Sequence, residues 1–165
     1  MDNKENLKVA LVSLYPRFAD SILSGEKKVE FRKTRMSEEI SSVIIYSTSP
    51  VKKVVGYFEV KEIVSKKPLA LWRDFKNSSG LEFREYAEYY DGKKEAFGIV
   101  VGNVVRLETP LSLEELGLTG PPPQSFRYLE WNDVENRLVG NRFGLIQRFK
   151  SAMNRFLELR VELAK

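Results

Sequence analysis

Short apolar segments that alternate with helical patterns constrain the fold of this chain most. Five such segments are predicted strands, and they cover residues 7–14, 29–32, 42–47, 53–64 and 96–107. Gly56 lies inside the fourth strand, and Gly98 and Gly102 lie inside the fifth, where glycine typically marks a bulge or a bend. No βαβ unit repeats along the chain. The pattern predicts an α+β fold, a small mixed or antiparallel β-barrel with helices packed outside it.

Helical patterns fill the intervals between the strands. The predicted helices cover residues 16–24, 36–40, 69–75, 82–90 and 112–116. Pro16 suits the first turn of a helix, and Gly25 accepts the left-handed conformation that ends one. A loop with three consecutive prolines at 121–123 follows the last of these helices, and no strand is predicted beyond it.

The C-terminal segment has a pattern of its own. Its apolar residues are spaced by four and three positions, at Leu145, Phe149, Ala152, Phe156, Leu159 and Leu163. This spacing predicts a C-terminal amphipathic helix. The helix either docks on the barrel or contacts a second copy in a homodimer, a partner protein or nucleic acid. The predicted organisation is a polar tail at 1–6, a main domain at 7–129, and a linker with the basic helix at 130–165.

The positive charge of the chain is concentrated in this C-terminal segment. Residues 141–165 contain six cations and two anions, which equals the net charge of +4 of the whole sequence. The main domain is therefore electrically balanced. An electropositive cleft in the main domain must come from local clustering of cations and not from bulk charge.

Two missing residue types exclude several classes of function. The sequence contains no cysteine and no histidine. Disulfides, thiolate nucleophiles, histidine-dependent ribonucleases, serine–histidine hydrolases and zinc deaminases are therefore excluded. We predict no metal site and no cofactor. The N-terminus is polar, and no apolar run approaches the roughly 20 residues that span a bilayer, so we expect a cytoplasmic protein.

A charged motif follows the first predicted helix. Residues 25–32 read Gly-Glu-Lys-Lys-Val-Glu-Phe-Arg, which fits the pattern G-x-K-x-x-E-x-R. In an extended segment Lys28, Glu30 and Arg32 share one face, and Lys27 lies at the turn, where its side chain can swing toward that face. Arg32 offers a planar fork to phosphate or a base edge, and Glu30 can accept from an exocyclic amine. The alternative is a solvated surface ion pair, which contributes very little to stability.

Other polar residues are candidates for the same site. Ser47 and Ser49 end the third strand, where they either present hydroxyl and N–H groups to phosphate or form a simple turn. Gln124, Ser125 and Arg127 follow the three prolines. They either bind the ligand or make loop hydrogen bonds that close the barrel.

Two aromatic residues are candidates for stacking on a base. Tyr15 precedes the first helix, and Trp72 follows Leu71 in the third predicted helix. An exposed ring in either position would give a sequence-tolerant platform for an unpaired base. The apolar neighbours of Trp72 favour core packing for that residue.

The ordered set of motifs resembles the ASCH family. The G-x-K-x-x-E-x-R motif is followed by matching segments at 46–50, 71–72, 88–92, 96–99 and 122–129. The resemblance is strongest to a microbial and viral subgroup labelled predicted transcriptional regulators. It implies a PUA-like barrel related to domains that bind RNA or modified bases. It also implies a ligand-binding cleft lined by Gly25, Lys27, Glu30 and Arg32.

Two functions are compatible with these residues. The first is a nucleic-acid-binding module that holds RNA, a single strand or a modified nucleobase, in the regulation of transcription or RNA metabolism. The alternative is a metal-independent hydrolase. Some ASCH proteins are amidohydrolases acting on acetylated cytidine, with a G-x-K-x-x-T-x-R motif in which lysine activates threonine. Here Glu30 occupies the threonine position, so a Lys27–Glu30 pair would act instead on a modified nucleoside or RNA, and burial must tune both groups.

Overall fold

The computed structural model describes residues 7–140. Six strands are present in this range: β1 (Lys8–Leu14), β2 (Val29–Arg32), β3 (Ile40–Ser47), β4 (Lys53–Lys66), β5 (Ala96–Leu111) and β6 (Phe126–Glu130). Three helices lie between them: α1 (Pro16–Leu23), α2 (Pro68–Phe75) and α3 (Phe83–Tyr89). A single 3-10 turn, Lys76–Ser78, separates α2 from α3, and a fourth helix, α4, covers residues 131–140. The predicted α+β class is confirmed.

All six strands belong to one sheet with the order β2-β5-β4-β3-β1-β6. β1 pairs with β3 in parallel, and the other neighbouring strands are antiparallel. The edge strands β2 and β6 do not pair with each other within the described residues. The sheet is therefore open within these residues, and the predicted barrel is not closed.

Gly56 lies where the pairing register of β4 shifts. The pairing register shifts between Ile45 and Tyr46 on one side of β4 and between Val54 and Gly56 on the other. A Cβ at Gly56 would lie 2.5 Å from the backbone oxygen of Val105 on β5, closer than real Cβ contacts. Glycine lets the two strands approach at this point, and the predicted irregularity in the strand is confirmed as a shift of register.

Helices cover the sheet through three apolar clusters. Ala19 and Ile22 of α1 pack into the central cluster, and Leu71 of α2 packs into a second cluster that also contains Tyr86 of α3. Helix α4 contributes the fully buried Val134 and Leu138 to a third cluster beneath β1 and β3. Each helix therefore buries one face against the sheet, as the spacing of apolar positions requires.

Three local predictions differ from the structure. Residues 36–40 do not form a helix, because they make a turn at 38–39 and Ile40 already begins β3. Residues 112–116 form a hydrogen-bonded turn, in which Ser112 and Glu115 cap each other, and not a helix. The strand β6 was not predicted. Its five residues pair only with β1, so this strand depends on a partner distant in sequence.

The predicted C-terminal seam at 145–163 and the N-terminal tail at 1–6 lie outside the described residues. Within residues 7–140, no helix is both long and apolar enough to cross a membrane.

Candidate functional site

A cleft with a volume of about 790 Å³ opens where the ends of several elements meet. Its wall is formed by the β1–α1 junction, the strand β2, the turn after β3, one face of α3, and the proline loop at 122–125. Ligand pockets typically have volumes of about 300–1,000 Å³. The cleft is large enough for a small ligand, and it contains most of the charged motif.

The turn after α1 places Lys27 at the base of this cleft. Gly25 has a φ of 84°, the left-handed conformation that ends the helix and turns the chain toward β2. The Lys27 side chain is only 2% exposed, and its Nζ donates a hydrogen bond to the backbone oxygen of Ser79 at 2.6 Å. The Nζ atom also lies 5.0 Å from the ring centroid of Phe31 and 5.4 Å from that of Phe18. The lysine is thus enclosed by apolar rings and held by one carbonyl.

Glu30 lies between two buried cations. Its Oε2 is 3.8 Å from Lys27 Nζ, and its Oε1 is 3.6 Å from Arg32 Nε. Glu30 is 6% exposed and Arg32 is 8% exposed. The alternative of a solvated surface ion pair is therefore wrong. The three side chains form a buried triad (Lys27, Glu30 and Arg32) with one more positive than negative charge.

Arg32 makes one hydrogen bond to the backbone and an ion pair with Glu30. One terminal nitrogen donates to the backbone oxygen of Ser125 at 3.3 Å. Within the described residues, Arg32 Nε and Thr48 Oγ1 are buried atoms without a hydrogen-bond partner, and both residues line the cleft. Buried polar atoms normally have partners. Arg32 Nε faces the Glu30 carboxylate at 3.6 Å, in an ion pair longer than a hydrogen bond, whereas the Thr48 hydroxyl has no partner within residues 7–140.

Burial lowers the pKa of the Lys27 ammonium. The desolvation of the charged form is the largest cause, and it outweighs the carboxylates of Glu30 and Glu85, which raise the pKa. The guanidinium groups of Arg32 and Arg17 lower it further. A larger fraction of Lys27 is therefore neutral near pH 7 than for an exposed lysine, and a neutral amine can accept a proton.

The structure brings most of the sequence-predicted site residues together. Lys27, Glu30 and Arg32 share the cleft with Ser49, Gln124 and Ser125. These residues come from three regions of the chain that are distant in sequence. Tyr15 also lines the cleft, with 66% of its surface exposed.

Four sequence-predicted candidates do not line the cleft. Gly25 acts through the turn that it forms, and Ser47 is buried inside β3. The side chain of Arg127 turns away and donates to the backbone oxygen of Thr119 at 3.0 Å. Trp72 packs in the α2–α3 cluster, 4.9 Å from the ring of Tyr86, which agrees with core packing.

Sequence reasoning missed the residues that enclose the lysine. Ser79 is 52 positions from Lys27, and nothing in the local pattern links the two. Arg17 of α1 and Glu85 of α3 form an ion pair at the cleft wall, and Tyr89 lines the same wall. Helix prediction places these side chains on α1 and α3, but only the packing of the two helices shows that they meet.

Comparisons with known proteins agree with this architecture. Residues 12–109 match the sequence profile of the ASCH domain. A relative from Zymomonas mobilis called "ASCH domain-containing ribonuclease" is 32% identical over 132 residues, which cover 78% of this chain and 88% of the relative. A Ureaplasma parvum relative called "Large ribosomal subunit protein uL22" is 31% identical over 128 residues. The matched region covers 77% of this chain but only 41% of that relative.

A solved structure also matches the fold. The crystal structure of ASCH from Zymomonas mobilis superposes with a TM-score of 0.73 at 31% identity, covering 84% of this chain and 96% of that protein. The sheet order and the helices on its faces are therefore those of an experimentally known architecture.

Proposed function

Because this chain belongs to the ASCH domain family, we propose that its cleft binds RNA, with Arg32 and Lys27 as the cationic contacts. The observation that carries the proposal is the buried triad in the cleft wall, in which two cations face one anion. The excess positive charge favours an anionic ligand, and the planar guanidinium of Arg32 suits the oxygens of a phosphate. The Zymomonas mobilis relative, which is called a ribonuclease, supports RNA as the ligand class.

The depth of the cations favours a single strand over a duplex. Lys27 is 2% exposed at the base of the cleft, so a phosphate must enter the cleft to approach it. An RNA duplex presents its phosphates on a regular outer surface, whereas an unpaired strand can bend one phosphate inward and splay its bases. The local excess of one positive charge in the triad supplies the attraction that the balanced main domain lacks as a whole.

A salt titration tests the binding proposal. Labelled single-stranded RNA and DNA are titrated with the protein at about 50 mM and 200 mM salt. If Lys27 and Arg32 contact two phosphates, log K falls with log salt with a slope of about −1.4, and Arg32→Gln reduces that slope by about 0.7. Arg35→Gln is the control, because this arginine is exposed and lies outside the cleft. Absence of binding at low salt, or equal slopes for Arg32→Gln and the wild type, overturns the proposal.

A second function, RNA cleavage, is favoured by the lowered pKa of Lys27. In this reaction the neutral amine of Lys27 accepts the proton of a ribose 2′-hydroxyl, and the 2′-oxygen attacks the adjacent phosphorus. The bond from phosphorus to the 5′-oxygen breaks, and that oxygen takes a proton from water. The products are a 2′,3′-cyclic phosphate and a free 5′-hydroxyl. Arg32 stabilises the negative charge that develops on the phosphoryl oxygens, and Glu30 orients the side chains of Lys27 and Arg32.

Cleavage is tested with RNA and its 2′-O-methyl counterpart. We expect the RNA alone to be cut, with cyclic phosphate termini, and the rate to rise with pH until Lys27 has lost its proton, at a pKa below 10.5. Lys27→Met should abolish the reaction, whereas Lys28→Met, on the exposed neighbouring residue, should leave it intact. Cleavage that survives in Lys27→Met refutes the role of this lysine. In a parallel assay with acetylcytidine as the substrate, release of acetate would identify the amidohydrolase instead.

A further inference from the structure

We propose that the mouth of the cleft contains a nucleobase subsite in which Tyr15 stacks on an unpaired base and Gln124 binds the edge of that base. The inference rests on the proposed RNA-binding function and adds to it the recognition of a base beside the phosphate. Neither residue belongs to the charged motif. Both line the cleft that contains the buried triad.

Tyr15 is an exposed ring on a fixed backbone. Its 66% exposure is the highest among the exposed large hydrophobic residues of the described chain. Its backbone oxygen accepts hydrogen bonds from the N–H groups of Phe18 and Ala19, at 2.9 and 3.1 Å, and Pro16 follows it directly. The ring therefore needs little ordering when a base stacks on it. A large aromatic surface left in water at the entrance of a charged cleft favours a ligand that covers it.

Gln124 is held between two anchored neighbours. The Ser13 hydroxyl donates to the backbone oxygen of Pro123 at 2.7 Å, and Arg32 donates to the backbone oxygen of Ser125 at 3.3 Å. The side chain of Gln124 is exposed and makes no hydrogen bond within residues 7–140. Its amide thus offers one acceptor and two donors from a restrained backbone, a set that matches the edge of a nucleobase.

Both residues are close in sequence to residues that contact the buried triad. Gln124 is one residue from Ser125, which receives the hydrogen bond of Arg32. Tyr15 is three residues from Phe18, whose ring lies 5.4 Å from Lys27 Nζ. One nucleotide can therefore place its phosphate near the triad and its base at the mouth. This arrangement requires the base to be unpaired, because a base in a duplex has no free face.

An abasic ligand separates the base contact from the phosphate contact. The probes are fluorescent single-stranded oligomers of about eight nucleotides, one set with each of the four bases and one with abasic sugars throughout. Tyr15→Ala should weaken binding of the base-containing strands about 5- to 100-fold, since a stacked base commonly contributes that much. The same variant should bind the abasic strand as the wild type does. Tyr15→Phe should retain the affinity, because it keeps the ring.

Gln124→Leu tests the contact to the base edge. The wild type should rank the four homopolymers in a reproducible order, and the variant should reduce the differences while it keeps the abasic affinity. Tyr128→Ala is the control for an exposed aromatic residue, because Tyr128 is 41% exposed on β6 and does not line the cleft.

The outcomes distinguish the subsite from the function on which it rests. If the wild type binds no oligomer, both the RNA-binding function and the subsite are refuted. If Arg32→Gln loses binding while Tyr15→Ala retains full affinity for base-containing strands, only the stacking role is refuted. An equal loss for the abasic strand in Tyr15→Ala also overturns the stacking role, and equal wild-type affinity for all four bases overturns the role of Gln124.

Discussion

Glu30→Gln should lower the free energy of unfolding by about 3–5 kcal/mol, because it leaves two buried cations without their anion. Glu30 lies 3.8 Å from Lys27 Nζ and 3.6 Å from Arg32 Nε, and all three residues are buried. Glutamine has nearly the same shape as glutamate. The substitution therefore removes the charge while it leaves the packing almost unchanged.

The magnitude follows from these distances. Opposite charges about 4 Å apart attract by about 4 kcal/mol at an effective dielectric constant near 20. Two such attractions are lost, and part of the loss is offset because the carboxylate no longer has to be desolvated. The net loss of about 3–5 kcal/mol corresponds to a fall in Tm of roughly 6–20 °C for a domain of this size.

The loss should also depend on pH in a defined direction. Burial already lowers the pKa of Lys27, and Glu30 is the largest influence that raises it, so removal of Glu30 lowers the pKa further. Consider pH values between the folded-state pKa of Lys27 in the variant and that in the wild type. At these pH values the folded variant binds fewer protons at Lys27 than the folded wild type, whereas the two unfolded chains bind equal numbers. The stability of the variant therefore rises relative to the wild type as pH increases through this window, which lies below 10.5.

Urea denaturation followed by circular dichroism, at several pH values from about 6 to 10, measures both effects. Glu26→Gln is the matched control, because Glu26 belongs to the same motif but is exposed. In a Lys27→Met background, Glu30→Gln should cause a loss of stability that does not depend on pH in this range. A loss below about 0.5 kcal/mol would refute the desolvated triad, since exposed sites change by that amount. A deficit that is equal at every pH would refute Lys27 as its source.

Three further substitutions test the fold around the site. Gly80→Ala should cost about 1–2 kcal/mol in urea denaturation, because Gly80 has a φ of 67°. It should leave RNA binding in the salt titration unchanged, since its new Cβ would make only ordinary contact with the Lys27 side chain at 3.5 Å and would come closest to Ser21 Oγ at 3.3 Å. Gly56→Ala should cost about 1–3 kcal/mol by thermal denaturation, because a Cβ there would lie 2.5 Å from a backbone oxygen of β5. Leu138→Ala should cost about 2–5 kcal/mol by urea denaturation, because this residue of α4 is fully buried. Asn136→Ala, at an exposed position of the same helix, should cost little. Equal effects of the two substitutions would contradict the docking of α4.

The sequence alone determined the elements whose signals are local. Pro16 and Gly25 bound α1 closely. The strand around Ile44 follows from a run of branched residues, and the strand around Val29 follows from the alternation of apolar and polar positions. These signals act within a few residues, through restricted backbone angles and the period of the apolar positions. The shared face of the charged motif was predictable for the same reason, since alternation along a strand places Glu30 and Arg32 on one side.

Only the tertiary structure decided that this face is buried. The atoms that enclose it come from distant segments: the Ser79 carbonyl is 52 positions from Lys27, and the Ser125 carbonyl is 93 positions from Arg32. The local sequence pattern likewise does not predict the strand β6, which precedes α4 and pairs with β1. A sequence states which groups can become charged, but their desolvation depends on what the rest of the chain packs against them. That packing lowers the pKa of Lys27 and turns a motif that resembles a surface ion pair into a candidate binding and catalytic site.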